Sequence, residues 1–382
     1  MNLPLQDIRV LELGQVIAAP FAGAIFSDLG AQVVKVERVD GGDDARRMGP
    51  AFVRSDAMIF HVFNRGKQSV ALDLKSEAGI QALKELLAQT DIFVHNLRPG
   101  VVQQLGLDAA TLTQAFPRLI YAEISGYGAS GPLALKPGYE PLLQAFSGMS
   151  SLNGAEGDAP VRSATSLCDQ GSGMWVVIGC LSLLHRRQAT GQGGVVQSSL
   201  LETAMVWNAQ KSDALLNEGR LPEKHRSGHP GFVPYEAFDT ADLPLLICCG
   251  NDRLFVKLAT ALGRTAWSTD PRFVTNRARL AHKAELMHEL IPLLQQQSRS
   301  HWLALLDAAG VPCSPIHSLQ EALEHEQVQA LELMREVPHD GFRLTALPLL
   351  IDGQRPAPAG PAPSLGEHNG NCFAQHPHIC DS

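Results

Sequence analysis

Residues 8–37, IRVLELGQVIAAPFAGAIFSDLGAQVVKVE, decide the fold of this chain. Ile8–Leu13 and Gln32–Glu37 have the pattern of buried strands, and Phe21–Leu29 between them has the spacing of a helix. Two strands joined by a helix form a β-α-β unit, in which the strands run parallel. The turn at 14–20 contains a single glycine and so lacks the G-x-G-x-x-G pattern of dinucleotide sites. We therefore predict a Rossmann-like unit without that phosphate-binding fingerprint.

The alternation of strands and helices continues beyond this unit. Further strands are predicted at Ser69–Leu74, Asp91–His95 and Leu119–Ile124, and a capped amphipathic helix at Ser76–Gln89. This order predicts an α/β fold with a mainly parallel sheet that helices cover on both faces. A literal G-x-G-x-x-G at 126–131 is followed by proline and no helix pattern, so it does not predict a phosphate site.

Length, composition and charge exclude several classes of function. The chain has 382 residues, and a loop-rich stretch between about 215 and 245 indicates a change of domain. With 45% hydrophobic residues and a net charge of −8, it does not suit nucleic acid or anionic membranes as partners. Met174–Leu184, the longest apolar run, is too short to span a bilayer, and no signal-peptide pattern is present. We expect a cytoplasmic protein with reduced core cysteines and no metal site.

The stretch Ser166–Leu184, SLCDQGSGMWVVIGCLSLL, contains the first candidate for chemistry. Asp169 precedes the small residues at 171–173 and then an apolar run, which predicts an acidic cap, an entry turn and a buried helix. A helix N-terminus favours the aspartate anion, and small neighbours leave room for another molecule. Because caps greatly outnumber catalytic aspartates, this stretch alone does not decide between a cap and a nucleophile.

Charged residues near predicted strand ends and helix starts provide a second signal. Arg38, Lys75 and Arg98 follow three successive strands. The carboxyl ends of parallel strands share one edge, so these cations can converge on one phosphate-bearing ligand. Zinc-ligand clusters and a G-x-S-x-G elbow are absent from the sequence, which leaves paired carboxylates as the candidate chemistry. Glu140 and Asp169 each open a predicted helix.

Ordered blocks along nearly the whole chain are the most specific feature. They include DLGAQVVKVER (28–38), NRGKQSVALDLK (64–75), VHNLRPGVVQQLGL (94–107), GYEPLLQAFSGM (138–149), the Asp169 stretch and LGEH (365–368). Together they resemble the class III CoA-transferases, the family of formyl-CoA transferase and carnitine CoA-transferase. The resemblance implies an interlocked homodimer with a Rossmann-like large domain and a smaller α/β domain. The implied boundaries are 1–210 for the first part of the large domain, 211–330 for the small domain, 331–370 for a return to the large domain and 371–382 for a disordered tail.

The resemblance also implies the site residues. It places the family's nucleophilic aspartate on Asp169. The implied CoA-binding positions are Ile17, Ala18, Arg38, Leu72, Asp73, Leu74, Lys75, Asn96, Leu97, Arg98, Gln104, Lys136, Pro137, Gly138, Tyr139 and Glu140. Ile17 replaces a glutamine of formyl-CoA transferase, Gln104 an arginine and Pro137 a lysine, so specificity for formate and oxalate is not implied. Coenzyme A enters as a substrate, and no tightly bound cofactor is expected.

The implied activity is that of an acyl-CoA:carboxylate CoA-transferase. CoA would move from a donor such as succinyl-CoA to a small carboxylic acid, through an aspartyl anhydride and an aspartyl-CoA thioester on Asp169. The candidate acceptor-facing residues are His229, Gly231, Phe232 and Tyr235. An α-methylacyl-CoA racemase is the alternative, but Tyr139 stands where the racemase pattern has its histidine. A third reading is an inactive CoA-binding protein, against which the intact Asp169 argues.

Overall fold

The computed structural model describes residues 3–338, 341–357 and 359–373, which form two compact units. Unit 1 contains the described residues of Met1–Met149, Arg162–Asp213 and Gln329–Ser382, and unit 2 contains Ser150–Val161 and Ala214–Val328. The short segment Ser150–Val161, which the sequence analysis assigned to the large domain, therefore belongs to unit 2. The chain returns to unit 1 at Gln329.

A six-stranded parallel sheet forms the centre of unit 1. Its strands are β1 (Arg9–Leu13), β2 (Gln32–Glu37), β3 (Gln68–Ala71), β4 (Ile92–His95), β5 (Ile120–Ser125) and β6 (Gly194–Ser199). They pair in the order β3-β2-β1-β4-β5-β6, and every pair is parallel. The predicted parallel α/β sheet is confirmed. Its strand order reverses direction between β1 and β4, which is where doubly wound sheets bind their ligands.

Helices cover both faces of this sheet. In chain order up to residue 218 they are α1 (Ala18–Asp28), α2 (Met58–Asn64), α3 (Glu77–Leu87), α4 (Val101–Gln104), α5 (Ala109–Ala115), α6 (Glu140–Phe146), α7 (Met149–Leu152), α8 (Leu167–Thr190), α9 (Leu200–Trp207) and α10 (Ala209–Glu218). Val10 of β1 packs in one core with α1, α8 and α9, whereas Leu11 packs in a second core with α3, α4 and α5. Successive residues of a strand point to opposite faces, so one apolar strand serves both cores.

The helix α8 is longer than predicted and extends beyond the apolar run in both directions. By length and hydropathy alone it could cross a membrane, although the core helix of a folded domain passes the same test. Val176, Val177 and Cys180 are buried in the core that α8 shares with α1. The strand β6 was not predicted, and α9 begins at Leu200 directly after it.

Two short antiparallel hairpins complete unit 1. They pair Phe52–Val53 with Asp56–Ala57 and Met334–Glu336 with Arg343–Thr345. The returning segment then covers the edge strand β3, where the His368 N–H donates to the Ser69 carbonyl (2.9 Å) and the Ala71 N–H to the Asn369 side chain (2.8 Å).

The end of the described chain belongs to the core of unit 1. Phe373, which the sequence analysis assigned to a disordered tail, is buried among the residues of the second core. The Arg9 guanidinium lies 5.6 Å from the centroid of its ring. The rest of that predicted tail, residues 374–382, lies outside the described residues.

Unit 2 is a smaller α/β unit with its own core. Its antiparallel strands are β7 (Tyr235–Phe238), β8 (Leu245–Cys248) and β9 (Cys313–Pro315), in the order β9-β8-β7. The α-helices that follow α10 in the described chain are α11 (Asp252–Ala261), α12 (Asn276–Ala281), α13 (Lys283–Leu294), α14 (Arg299–Ala309), α15 (Leu319–Glu324) and α16 (Glu326–Ala330). A fully buried Arg279 donates to the carbonyls of Val233 and Phe273 and pairs with Asp252, so its charge is compensated.

Candidate active site

A cavity of about 370 Å³ opens at the carboxyl end of the sheet. Its walls come from the ends of β1 and β2, from the loops after β1, β2, β3 and β4, and from α4. The predicted CoA contacts that line it are Arg38, Leu72, Asp73, Leu74, Lys75 and Leu97. It therefore occupies the place where the strand order reverses, as ligand sites in open α/β sheets do. Parallel pairing brings together residues as distant in the sequence as Leu13 and Leu105.

The strand-end cations differ in how they meet this cavity. Arg38 and Lys75 line it, whereas the Arg98 side chain does not. The Arg38 guanidinium donates to the Gly42 carbonyl (3.0 Å) and pairs with Asp44 (2.6 Å), so it is held within its own loop. The predicted convergence therefore holds for two of the three cations, and both lie beside an apolar wall.

The Asn96 side chain is hydrogen-bonded to the backbone of Gln15. Its Oδ1 accepts the Gln15 N–H (2.8 Å) and its Nδ2 donates to the Gln15 carbonyl (2.9 Å). These two bonds tie the loop after β4 to the loop after β1. The buried His95 is bonded to the Tyr121 hydroxyl (2.7 Å), and burial lowers its pKa to about 3, so the ring is neutral. Asn96 therefore supports the cavity wall and does not line it.

The other predicted contacts lie outside this cavity. Ile17 and Ala18 are at the start of α1, and Gln104 is an exposed residue at the end of α4. Lys136, Pro137, Gly138 and Tyr139 form the loop before α6, in which the Lys136 ammonium lies 5.4 Å from the centroid of the Tyr127 ring.

Two carboxylates meet at the start of α6 and α8. Glu140 is the first residue of α6, and Asp169 lies in the first turn of α8. Glu140 Oε1 accepts from Gln144 Nε2 (2.6 Å) and from the Cys168 N–H (3.4 Å), which joins the two helix starts. Its second oxygen, Oε2, is buried and has no hydrogen-bond partner among the described residues. The backbone of Cys168, next to Asp169, is thus held by the buried Glu140 carboxylate, whose second oxygen can still accept a hydrogen bond.

The surroundings of Asp169 do not keep its carboxylate fully ionised. Burial raises the pKa of Asp169 to about 7, and the negative charge of Glu140 adds to the rise. The prediction that Asp169 caps the helix as a stable anion is wrong, because Ser166 occupies the cap position and α8 begins at Leu167. A carboxylate whose pKa is shifted to neutrality by burial and by a like charge is typical of a functional site.

The small residues that follow Asp169 serve helix packing. Gly171 and Gly173 lie within α8 and are buried, so they do not form an entry turn. A Cβ atom at Gly171 would lie 2.6 Å from Thr203 Cγ2 of α9, and one at Gly173 would lie 2.7 Å from the Ala18 carbonyl oxygen of α1. The expected room for another molecule is therefore filled by α1 and α9. This packing brings the start of α1 against α8, four residues beyond Asp169.

The comparisons with known proteins agree over almost the full length of the chain. Residues 5–369 match the family model of CoA-transferase family III. The chain belongs to this family. It is similar to the acetyl-CoA:oxalate CoA-transferase of Acetobacter aceti (35% identity over 95% of this chain and 93% of that protein). It is also similar to the succinate–glutarate CoA-transferase of Agrobacterium fabrum (33% identity, 97% and 95% covered). A CAIB/BAIF family crystal structure from Brucella suis superposes with a TM-score of 0.88 at 32% identity, covering 96% and 98% of the two chains.

The protein is accordingly a CoA-transferase, and the predicted resemblance is confirmed. In unit 2 of this family III enzyme, the candidate acceptor residues form one aromatic cluster. The His229 ring centroid lies 4.9 Å from that of Phe232 and 5.4 Å from that of Tyr235, and His229 Nδ1 accepts the Gly231 N–H (3.0 Å). Within the part of the chain that the structure describes, no group of three or more His, Cys, Asp or Glu side chains could hold a metal ion.

Sequence reasoning missed a set of buried charges beneath the cavity of this CoA-transferase. Glu12, Lys35, Asp43 and Lys67 are all buried, and each forms a salt bridge with another member of the set. The available signal was a charged residue between apolar neighbours in each of two adjacent strands. Glu12 of β1 and Lys35 of β2 are such residues, and they lie directly opposite each other. Charged residues are rarely buried unless they are paired.

We expect Gly173→Ala to destabilise unit 1 by about 1–3 kcal/mol, as overpacking of a tight interior does. The added methyl group would meet the Ala18 carbonyl oxygen, and a backbone atom cannot move aside as a flexible side chain can. Urea unfolding followed by circular dichroism would measure the loss. Gly250→Ala is the matched control, because a Cβ atom there meets nothing within 4 Å. Equal stability of the two variants would contradict the packing role of Gly173.

Proposed function

We propose that this CoA-transferase moves CoA from an acyl-CoA donor to a free carboxylic acid, with Asp169 as the acyl-accepting nucleophile. The observation that carries the proposal is the position of Asp169, whose pKa is raised to about 7 in the first turn of α8 beside the buried Glu140. A partly desolvated carboxylate is a better nucleophile than a hydrated one and still ionises near neutral pH. The relatives named above transfer CoA between acids by name, which supports the same class of reaction here.

The reaction needs a side chain that first accepts the acyl group of the donor and then itself becomes the acyl group that is bound to CoA. In the first step an Asp169 oxygen attacks the thioester carbonyl, the carbon–sulfur bond breaks, and CoA leaves as a thiolate while an acyl-aspartyl anhydride remains. The thiolate then attacks the aspartyl carbonyl and releases the donor acid, which leaves an aspartyl-CoA thioester. Among the side chains of the site only a carboxylate can take both parts.

The second half of the reaction reverses the first with a new acid. The acceptor carboxylate attacks the aspartyl-CoA thioester and expels the thiolate, which gives a mixed anhydride of Asp169 with the acceptor. The thiolate then attacks the acceptor's acyl carbon, and Asp169 leaves as the free carboxylate. Neither half-reaction consumes water, so the site must exclude it, because water would hydrolyse both intermediates.

We propose that the cavity at the end of the sheet receives the nucleotide part of CoA. Arg38 and Lys75 supply positive charge for its phosphates, and Leu72, Leu74 and Leu97 supply apolar wall. The loop before α6 and the start of α1, with Ile17 and Ala18, are proposed to contact the rest of the coenzyme. Charge reversal at Lys75 should raise the dissociation constant of CoA and leave that of a free dicarboxylate unchanged.

We propose succinyl-CoA as donor and a short dicarboxylate as acceptor, because the relative from Agrobacterium fabrum is named for succinate and glutarate and the mouse relative for succinyl-CoA and glutarate. The mouse protein is 32% identical over 96% of this chain and 84% of its own length. His229, Gly231 and Tyr235 are the proposed acceptor contacts. A panel of donors and acids read by mass spectrometry tests the pair, and Tyr235→Phe should raise the KM of the acceptor only.

We propose that the enzyme is a cytoplasmic homodimer, interlocked as the resemblance implies. One side of α8 exposes Met174 (46%), Trp175 (38%) and Ile178 (51%), and Trp207 of α9 lies beside Trp175 with ring centroids 6.0 Å apart. An apolar row of this kind is typical of an interface. Light scattering should give twice the mass of the chain, and a monomeric mass would contradict the proposal.

Asp169→Asn should abolish CoA transfer, with a loss of at least about 1,000-fold in kcat, because the amide cannot form the anhydride. In the wild-type enzyme, incubation with succinyl-CoA followed by hydroxylamine should leave a hydroxamate on Asp169, which peptide mapping would locate. The same treatment of the variant should leave none. An active enzyme without an adduct at Asp169 would contradict the nucleophile.

The same samples separate the alternatives. An α-methylacyl-CoA racemase would exchange the α-hydrogen of its substrate for deuterium from D₂O without any acceptor acid. A binding protein would retain CoA and catalyse neither reaction. We expect transfer without exchange.

The rate of transfer should depend on pH through Asp169. The ionised form is the nucleophile, so kcat/KM for the donor should be low in acid, half-maximal near pH 7 and level above it. Glu140→Gln removes the like charge and should lower this midpoint. The change should be modest, because burial is the larger cause of the raised pKa and remains in the variant. If Glu140→Gln has the same midpoint of kcat/KM as the wild type, a group other than Asp169 controls the loss of activity in acid.

A further inference from the structure

The loop between β1 and α1 contains a valine in the left-handed region of backbone conformation. Val16 has φ of +65°, which β-branched residues rarely adopt because the side chain collides with the backbone. Its neighbours Gly14 and Gln15 line the cavity, and Ile17 is the N-terminal cap residue of α1. Conformations of this kind persist only where the surroundings impose them, and they concentrate at functional sites.

The Asp43 carboxylate is hydrogen-bonded to the backbone of Val16. Its Oδ1 accepts the Val16 N–H (3.1 Å) and the Ala45 N–H (2.9 Å), and its Oδ2 lies 2.8 Å from Lys35 Nζ. Asp43 is among the residues that line the cavity, but its side chain is only 1% exposed, so these bonds are made inside the protein. Burial alone would raise the pKa of Asp43, but Lys35 and the two N–H donors outweigh it, and the pKa lies below its usual value.

Lys35 connects Asp43 to the rest of the loop and to the sheet. Its Nζ donates to the Gly14 carbonyl (2.8 Å) and to Glu12 Oε1 (2.9 Å), and Glu12 Oε2 also pairs with Lys67 (2.6 Å). The carboxylates of Glu12 and Asp43 balance the charges of the two lysines, as is needed in a buried set of ion pairs. Asn96 is hydrogen-bonded to both the N–H and the carbonyl of Gln15. Every residue from 14 to 16 therefore has a backbone group that is bonded to a buried or half-buried side chain.

We propose that Asp43 is a positioning residue for CoA: it holds Val16 in its left-handed conformation and thereby sets Gly14 and Gln15 in the wall of the coenzyme cavity. The inference rests on the proposed function, because it takes this cavity as the CoA site. A merely structural ion pair would affect stability alone. A positioning residue also affects the affinity for CoA, through the conformation of residue 16.

Asp43→Asn tests the role with little change in shape. An amide has one acceptor oxygen where the carboxylate has two, so either Lys35 or the Val16 N–H loses its partner. We expect the dissociation constant of CoA, measured by calorimetry, to rise at least tenfold. The KM of the acyl-CoA should rise with it, whereas the KM of the acceptor acid should not change. Asp28→Asn is the matched control, since it breaks the buried pair of Asp28 with Arg65 on the same unit and leaves the loop untouched.

A second substitution links the effect to Val16. Glycine adopts positive φ without strain, so in a Val16→Gly background Asp43→Asn should raise the dissociation constant of CoA less than threefold. Val16→Pro keeps every buried charge but removes the N–H and cannot reach positive φ, so it should weaken CoA at least as much as Asp43→Asn does. This variant tests whether the conformation of residue 16 controls the affinity for CoA, even if Asp43→Asn does not fold.

The outcomes separate this inference from the proposed function. If the wild-type protein does not bind CoA, the proposed function fails and this inference fails with it. If the wild type binds CoA and Val16→Pro binds it equally well, the positioning role of Asp43 is wrong and the proposed function stands. Equal losses from Asp43→Asn in the valine and glycine backgrounds would also overturn the role, because the effect would then not pass through residue 16.

Discussion

Parallel pairing of β1 with β2 on one side and with β4 on the other is the constraint on which the rest of unit 1 depends. It places the carboxyl ends of four strands at one edge and opens a cavity where the strand order reverses. It also sets Glu12 opposite Lys35, which allows a buried ion pair to form below that edge. The cavity wall and the charges that support it therefore arise from the same register.

The second constraint is the close approach of α8 to α1 and α9. Two glycines in α8 permit it, and Ser172 adds a hydrogen bond to Thr203 of α9 (2.7 Å). Since α1 begins at Ala18, directly after the loop that lines the cavity, this packing connects the cavity to the helix that carries Asp169. Two features far apart in the sequence thus share one rigid support, which suits a reaction that must align a thioester with a carboxylate.

Much of the architecture could be read from local pattern, because strand and helix periodicities are strong where an element is buried. The β1-α1-β2 unit and the helix capped by Ser76 are examples, and their bounds agree with the structure to within a few residues. The strand β6 escaped because only Val195 and Val196 of its six residues are apolar and no residue before Ser199 is buried, so it lacks the pattern of a buried strand. The cations after β2 and β3, Arg38 and Lys75, do line one cavity at the carboxyl edge of the sheet, and predicting this needed only parallel strands.

The sequence by itself determined the fold class, the family and the type of residue available for chemistry, because apolar periodicity and ordered blocks are local properties of the chain. Only the tertiary structure decided how those residues behave. Asp169 reads as a charged helix cap, but burial and Glu140 raise its pKa to about 7. The bonds between the Asn96 amide and the Gln15 backbone join two loops that are far apart in the sequence. Protonation state and side-chain partner depend on groups brought close from distant parts of the chain, and no local pattern records which groups those are.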